Sequence, residues 1–295
     1  MTTKPLTGII PALTTPFEND QVSTGKLAFN IALYNRSELS GYLVCGSTGE
    51  CVLLSDDESA AVVKTAREAA GPEKILIAGT ARESLRATVE ATRRAADLGA
   101  DFALIRPPSY YKSRMDRETL RTFFLKTADD SPVPVIVYNI PQNTGFSLEA
   151  ELIVELSDHD NIAGLKESSG NLTLLAAVVR RLPQDFSYLL GAGSVVVPAL
   201  QMGASGAILA VADAVPEVCA DMYRLFVQGD FEGARKRQLD IVPLNRLATE
   251  ARGIPGLKAA LDMRGFYGGP VRLPLLPATD KDRAEIDVLL KSLGL

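Results

Sequence analysis

Short apolar runs rich in branched residues alternate with longer amphipathic patterns through the first 228 of the 295 residues. This alternation is typical of strand–helix–strand units that build a parallel sheet. Eight such repeats predict a (β/α)8 TIM barrel, an α/β fold that usually needs about 250 residues. The predicted strands are 8–13, 41–45, 75–78, 103–106, 135–138, 162–166, 188–190 and 207–211. Helical patterns lie between them, for example at 55–70, 84–98, 116–128 and 147–156, with Ser55 and Ser84 as N-caps.

The alternative is a doubly wound sheet, which would need a glycine-rich phosphate loop after the first strand. The segment there is T-T-P-F at 14–17, without a glycine. After residue 229 the strand pattern stops, and helical patterns follow at 230–250, 256–263 and 280–293. Roughly 65 residues of amphipathic helix are only marginally stable alone. We therefore predict a barrel at 1–228 and a C-terminal helical extension at 229–295 that packs on it.

Charge and composition exclude several classes of protein. The net charge is −5 with no basic cluster, which argues against nucleic-acid binding. No apolar run approaches the roughly 18 residues of a membrane-spanning helix, and residues 1–5 lack the pattern of a signal peptide, so we expect a cytoplasmic protein without membrane contact. The single histidine, His159, lies in a polar loop, and the three cysteines have no metal-ligand spacing. We therefore expect neither a metal site nor a Ser-His-Asp triad.

The active site of such a barrel lies where the carboxyl ends of its strands meet. The sixth predicted strand ends in Lys166, before a Ser-Ser-Gly turn. Burial disfavours the charged form of a lysine and makes the amine a nucleophile that forms Schiff bases with carbonyl compounds. The alternative is that Lys166 only extends from the strand end into solvent. Tyr138 ends the fifth strand and either fills the core or relays protons to Lys166.

Five segments at strand ends carry a resemblance to a known family. The turn G-S-T-G-E at 46–50 offers two hydroxyls and backbone amides to a small carboxylate, although an ordinary helix-capping turn would use the same residues. The others are G-I-I-P-A-L-T-T-P-F at 8–17, A-G-T at 78–80, Y-N-I-P at 138–141 and G-L-K-E-S-S-G-N at 164–171. From about residue 8 to 277, the chain resembles the dihydrodipicolinate synthase and N-acetylneuraminate lyase superfamily of pyruvate-dependent class I aldolases.

The resemblance implies a covalent mechanism. C2 of pyruvate, or of the pyruvate-like end of a 2-oxo acid, would form an imine with Lys166, and no other cofactor would be needed. Ser47 and Thr48 would bind the carboxylate of that unit. The resemblance also places Gly191 and Ile208 against the substrate. The protonated imine would serve as the electron sink for cleavage or formation of a carbon–carbon bond.

The resemblance also implies a homo-oligomer. Tyr138 would shuttle protons with the Ser47 hydroxyl and with a tyrosine from a neighbouring subunit. That tyrosine would be Tyr110, or Tyr111 if the alignment shifts by one residue. We therefore expect at least a tight dimer and, by resemblance, a dimer of dimers.

Several departures narrow the choice within the superfamily. Dihydrodipicolinate synthases carry an arginine for the carboxylate of the semialdehyde at the position where this chain has Asn143. Neuraminate lyases carry an Asp-Glu pair for sugar hydroxyls where this chain has G-A-G-S at 191–194. The segments P-Q-N-T-G at 141–145, K-E-S at 166–168, G-I-P-G-L-K at 253–258 and G-F-Y-G-G-P at 265–270 are instead similar to those of 4-hydroxy-2-oxoglutarate aldolases.

We therefore expect retro-aldol cleavage of 4-hydroxy-2-oxoglutarate, or of a related 2-oxo acid, to pyruvate and an aldehyde such as glyoxylate. Thr48 and Ser168 are the candidates for binding the distal carboxylate, and we expect Asn143 to contact the substrate as well. None of these segments contains an arginine for that role. The alternative reaction is condensation of pyruvate with aspartate semialdehyde, as in the synthases. A non-catalytic barrel with a binding or regulatory role is a third hypothesis.

Overall fold

The structure is a computed structural model that describes residues 5–295 and contains eight parallel strands in one sheet. Neighbouring strands follow one another in chain order, and the eighth pairs with the first. Ala12 bridges Leu43 between the first and second strands, and the Leu13 N–H donates to the Leu43 carbonyl at 2.8 Å. The predicted (β/α)8 barrel is therefore confirmed. Its strands are Gly8–Pro11, Gly41–Val44, Ile75–Gly79, Phe102–Ile105, Val135–Asn139, Ile162–Glu167, Ser187–Leu190 and Gly206–Leu209.

Side chains along each strand alternate between the barrel interior and the layer of helices, as the pleat of a strand requires. Branched residues fill the interior, among them Ile10, Ile77, Leu104, Ile136 and Ile208. A second and larger cluster packs between the strands and the helices and includes Leu165. Its neighbour on the sixth strand, the lysine at position 166, therefore points into the barrel.

The helices begin where the sequence provides caps. Ser55 Oγ accepts a hydrogen bond from the Glu58 N–H at 3.1 Å, and the Glu58 carboxylate accepts from the Ser55 N–H at 2.8 Å. Ser84 Oγ accepts from the Ala87 N–H at 3.2 Å. Both predicted N-caps are confirmed. The helices up to residue 228 are Thr24–Tyr34, Asp56–Ala69, Leu85–Asp97, Arg117–Asp130, Pro141–Thr144, Ala150–Ser157, Leu172–Val178, Val196–Gln201, Val211–Ala214 and Pro216–Val227, with short 3-10 helices at Cys51–Leu53, Lys112–Arg114 and Gly193–Val195.

The structure differs from the prediction at several places before residue 228, among them the end of the eighth strand and a small hairpin. The eighth strand ends at Leu209 rather than at 211, because Ala210 already has helical dihedrals and the helix Val211–Ala214 follows. A small antiparallel hairpin, Phe17–Glu18 with Gln21–Val22, was not predicted. Its turn residues Asn19 and Asp20 have φ values of 51° and 61°, which asparagine and aspartate tolerate better than most residues.

The C-terminal helices are Phe231–Leu244, Gly253–Met263 and Asp280–Ser292. The predicted helix at 230–250 is α-helical only to Leu244, and Asn245–Ala251 is a π-helix. Pro243 lacks the N–H of a regular helix and comes shortly before this change. Gln238 links the first of these helices to the barrel, since its Nε2 donates to the Gly193 carbonyl at 2.8 Å. The division of the chain at 228 stays a prediction. No helix within residues 5–295 is long and apolar enough to cross a bilayer.

Candidate active site

Lys166 and Tyr138 lie side by side at the carboxyl ends of the sixth and fifth strands. The two residues are cross-strand partners, and Lys166 Nζ lies 4.4 Å from the centroid of the Tyr138 ring. Lys166 is only 4% exposed, and within residues 5–295 it makes no ion pair with a carboxylate. An amine held in this way is free to attack a carbonyl carbon that enters the barrel mouth.

The next residues on the same strands, Asn139 and Glu167, order the loop that follows the lysine. The buried Glu167 carboxylate accepts hydrogen bonds from the Ser169 N–H at 2.7 Å and the Gly170 N–H at 3.0 Å. It also accepts from Asn139 Nδ2 at 3.3 Å, which connects the two strand ends. Ser169 Oγ is the fourth donor to this carboxylate, and the four hydrogen bonds together fix the backbone around Ser168.

The turn at 46–50 presents Ser47 and Thr48, both half-buried, at the same end of the barrel. Glu50 has a left-handed φ of 56°, and its N–H donates to the Ser47 carbonyl at 3.1 Å. Thr15 Oγ1 donates to the Gly49 carbonyl at 2.7 Å. The segment that follows the first strand therefore holds the turn in place, and both hydroxyl-bearing residues line the cavity described below.

A buried ion pair supports this turn from the side of the C-terminal helices. Lys258 Nζ lies 2.6 Å from a Glu50 carboxylate oxygen and donates to the carbonyls of Thr15 and Pro270 at 2.9 and 2.7 Å. Burial lowers the pKa of Lys258, and the charge of Glu50 opposes that shift. Asp213 lies close to the same cluster, and burial raises its pKa to about 7 although it accepts a hydrogen bond from the Thr14 N–H at 2.9 Å. The pair thus joins the turn, the segment after the first strand and the extension.

One cavity of about 930 Å³ opens at this end of the barrel. It is large enough for a small ligand with two functional ends, since ligand cavities commonly measure about 300–1,000 Å³. The structure brings together in its wall eight of the nine residues that the sequence predicts for the site, which are Ser47, Thr48, Tyr138, Asn143, Lys166, Ser168, Gly191 and Ile208. Within residues 5–295 no hydrogen bond joins the Tyr138 and Ser47 hydroxyls, although both residues also line a narrow pocket between them.

The ninth residue, Tyr110, lies outside this cavity. It is 79% exposed and lines a neighbouring cavity of about 830 Å³, which also touches Ser47 and Asn143. Tyr111 is exposed too, and its ring meets that of Tyr110 edge to face at 5.1 Å. Within one chain the structure therefore places neither tyrosine in the cavity of Lys166, and a role for either in a partner's site stays a prediction.

A model of the Dihydrodipicolinate synthetase family matches residues 5–293 of the chain. The 4-hydroxy-tetrahydrodipicolinate synthase of Methanosphaerula palustris is 36% identical over 273 residues, which is 91% of this chain and 92% of the relative. The chain belongs to the dihydrodipicolinate synthetase family. This membership makes it a carbon–carbon lyase of the class I aldolase type.

Two solved structures of the dihydrodipicolinate synthetase family are similar over nearly the whole chain. One is YagE, a prophage protein of this family from Escherichia coli K12 in complex with pyruvate, with a TM-score of 0.93, 26% identity and coverage of 98% of this chain and 99% of that one. The other is described as the first monomeric dihydrodipicolinate synthase variant, with a TM-score of 0.93, 26% identity and coverage of 98% and 97%.

The family assignment decides some of the sequence-based predictions. Membership of the superfamily is confirmed, whereas the names of the relatives do not support the narrower likeness to 4-hydroxy-2-oxoglutarate aldolases. The family binds pyruvate as an imine of a lysine and uses no metal. Within residues 5–295, no cluster of three or more histidine, cysteine, aspartate or glutamate side chains could hold a metal ion.

Two parts of the site were not predicted from the sequence. The Glu50–Lys258 pair lies behind the turn of Ser47, and a π-helix with Arg252 at its end forms part of the cavity wall. Lys258 had a detectable signal, since it is a lone cation in the apolar run G-L-K-A-A-L at 256–261. No feature of the sequence indicated Arg252, because it lies far along the chain from the strand ends that form the rest of the site.

Proposed function

We propose that the chain catalyses aldol chemistry through an imine between Lys166 and the C2 atom of pyruvate or of a 2-oxo acid. The observation that carries this proposal is the buried Lys166 amine beside Tyr138 in the large cavity. Ser47 and Thr48 bind the carboxylate next to C2, and Thr15, which follows the first strand, fixes the turn that carries them. Charged hydrogen bonds of this kind are about twice as strong as neutral ones.

In the cleavage direction, a base removes the proton from the C4 hydroxyl of the imine. The C3–C4 bond then breaks, its electron pair moves into the imine to give an enamine, and the aldehyde leaves. In this proposal Tyr138 carries the protons, and the support is that its ring lies 4.4 Å from Lys166 Nζ. Protonation at C3 and attack of water on the imine release pyruvate and the free amine. Condensation is the same sequence in reverse up to the aldol adduct.

The first candidate reaction is condensation of pyruvate with aspartate semialdehyde. The support is the name 4-hydroxy-tetrahydrodipicolinate synthase, which the relatives at 33–36% identity carry. These relatives match over 91–98% of the chain, so the sequence similarity extends over the barrel and over the residues that line the cavity.

The second candidate is cleavage of 4-hydroxy-2-oxoglutarate to pyruvate and glyoxylate. Asn143 favours it, since this neutral and exposed residue lines the cavity at the position where synthases carry an arginine. A neutral amide binds a carboxylate less strongly than a bidentate guanidinium does. Steady-state kinetics of the wild-type protein with both substrates decides between the two candidates.

The variant Asn143→Arg should raise the synthase reaction. We expect kcat/KM for aspartate semialdehyde to increase about 10- to 100-fold, because one charged hydrogen bond is worth about 1.5–3 kcal/mol. Asn143→Gln is the matched control, which lengthens the side chain without adding charge and should leave the ratio of the two reactions within about threefold. An Arg variant without a gain in the synthase reaction would show that position 143 does not contact this carboxylate.

We also propose a homo-oligomer in which Tyr110 enters the site of a partner chain. The support is the exposed pair of tyrosines and their place in a cavity that adjoins the site. Exposed aromatic residues of this size are typical of protein–protein interfaces. The proposal covers at least a tight dimer, and a dimer of dimers rests on the resemblance alone.

Heterodimers of Tyr110→Phe and Lys166→Ala chains test this arrangement. In such a dimer one site has its own lysine and receives Tyr110 from the partner, so about half of the wild-type activity should return, while both homodimers stay nearly inactive. Chains with two different affinity tags allow the heterodimer to be purified, and pyruvate release gives the rate. A heterodimer no more active than the average of the two homodimers would place the tyrosine in its own chain's site or outside the mechanism.

A further inference from the structure

The cavity contains more charge than the imine requires. Of its lining residues, only Lys166 and Arg252 are cationic, and only Glu250 is anionic. Lys166 is consumed by the imine, and the hydroxyls at 47 and 48 bind the carboxylate next to it. The aldehydes of both candidate reactions, aspartate semialdehyde and glyoxylate, carry a further carboxylate. Arg252 is therefore the only cation within the described part of this cavity that remains to bind it.

Arg252 is held in a defined orientation. It directly follows the π-helix Asn245–Ala251, and its Nε lies 2.6 Å from an Asp282 carboxylate oxygen. Its Nη2 donates to the Glu285 carboxylate at 3.2 Å. Within residues 5–295 its Nη1 donates no hydrogen bond. Two acids of the last helix thus fix one side of the guanidinium and leave N–H groups for a ligand, and a guanidinium matches a carboxylate in geometry as well as in charge.

The acid in the same wall is already occupied. Glu250 Oε1 accepts hydrogen bonds from Asn245 Nδ2 at 2.8 Å and from Ser194 Oγ at 3.2 Å. Thr249 Oγ1 donates to the Asn245 Oδ1 atom at 3.1 Å. These bonds tie the π-helix to the loop after the seventh strand. Because Glu250 repels a carboxylate at its own position, it restricts a second acidic group to the neighbourhood of Arg252.

The other nearby cations lie in the neighbouring cavity. Arg106 pairs with Glu83 at 2.8 Å, and its guanidinium also donates to the Pro107 carbonyl at 3.0 Å. Lys112 Nζ lies 3.0 Å from the position that a Cβ at Gly145 would take. Both Arg106 and Lys112 line the cavity of Tyr110 and not that of Lys166. Arg252 is therefore better placed than either to meet a substrate bound to the lysine.

We propose that Arg252 binds the carboxylate of the aldehyde half of the substrate and so selects acidic aldehydes. This inference rests on the proposed function, because it assumes that the pyruvate half is bound to Lys166. It names the substrate class as a 2-oxo acid with a second, distal carboxylate, or the acidic aldehyde from which such an adduct forms. The anchor comes from the C-terminal extension, so the extension sets specificity while the barrel strands provide the reacting groups.

The test compares an acidic substrate with an analogue that lacks the distal carboxylate. 4-Hydroxy-2-oxopentanoate carries a methyl group in place of the distal carboxylate of 4-hydroxy-2-oxoglutarate. In Arg252→Met we expect kcat/KM for the acid to fall about 10- to 100-fold, and the same loss for aspartate semialdehyde as the acceptor in condensation. The value for the methyl analogue should change less than about threefold, and Arg252→Lys should lie between wild type and Met.

The matched control is Arg264→Met. Arg264 is another arginine of the extension that pairs with a glutamate, Glu217, but it does not line the cavity. We expect its preference for the acid over the methyl analogue to equal that of wild type. An Arg252→Met protein that keeps the wild-type preference, or one that loses both substrates equally, would overturn the inference.

Borohydride reduction with pyruvate alone separates this inference from the proposed function. The reduced adduct on Lys166 should form as readily in Arg252→Met as in wild type, because pyruvate has no distal carboxylate. If wild type forms no adduct, the proposed function fails. If the adduct forms and the preference is unchanged, only the role of Arg252 fails.

Discussion

Replacement of Lys166 by alanine should lower turnover of every 2-oxo-acid substrate by about 10⁴-fold or more. Without the amine there is no imine and hence no electron sink, so the carbanion formed by cleavage has no stabilisation. Losses of this size are typical when the nucleophile of a covalent mechanism is removed. Release of pyruvate, coupled to lactate dehydrogenase, gives the rate, and mass spectrometry after borohydride reduction gives the adduct. Wild type should carry one pyruvate-derived group per chain, and Lys166→Ala none.

Lys258 is the informative comparison in this experiment. It is a buried lysine whose pKa is lowered by burial, and a lowered pKa is one of the properties that a nucleophilic amine needs. Its Nζ is, however, bonded to Glu50 and to two carbonyls, and it does not line the large cavity. Peptide mapping should therefore find the adduct on Lys166 and not on Lys258. An adduct on any other lysine, or a Lys166→Ala protein with normal turnover, would refute the mechanism.

The barrel was predictable because short stretches of sequence are sufficient to indicate each of its strands and helices. Each strand is a short apolar run followed by a helix with a cap such as Ser55 or Ser84, and the eight observed strands lie within a few residues of the predicted ones. The strand ends indicated where the site lies, since parallel strands in a barrel bring their carboxyl ends together. The roles of Lys166 and Tyr138 came from the family resemblance, and the structure finds the two side chains next to each other.

The contributions of the C-terminal extension were not predictable in the same way. Asn245 and Arg252 have the spacing of an ordinary amphipathic helix, and nothing in their periodicity indicates a π-helix or a position over the barrel mouth. The contact depends on how the extension packs, which is set by distant pairs such as Gln238 with the Gly193 carbonyl. The part of the site that the extension contributes therefore depends on tertiary packing, whereas the part at the strand ends follows from the sequence of each strand.

The Glu50–Lys258 pair shows how closely the extension and the site are linked. Glu50 is the last residue of the turn that carries Ser47 and Thr48, and Lys258 lies on the helix Gly253–Met263. Both side chains are almost fully buried. Removal of one partner from such a pair leaves an uncompensated charge in the interior, which typically costs about 3–5 kcal/mol. Loss of either partner should therefore lower the stability of the protein considerably and should also disturb the site, because Glu50 belongs to the backbone turn that carries Ser47 and Thr48.

Lys258→Met should accordingly lower the free energy of unfolding by about 3–5 kcal/mol, seen as a fall in Tm on the order of 10 °C. Lys64→Met is the matched control, since its ion pair with Glu68 is exposed and 3.9 Å long, and it should change the stability by less than about 1 kcal/mol.

The double variant Glu50→Gln with Lys258→Met removes both charges and should regain most of the lost stability, because the buried carboxylate is no longer charged. The KM of the double variant for pyruvate should be higher than that of wild type, because the lysine that links the turn to the Thr15 carbonyl is absent. A double variant no more stable than Lys258→Met alone would mean that the lysine acts through its hydrogen bonds to Thr15 and Pro270 and not through charge.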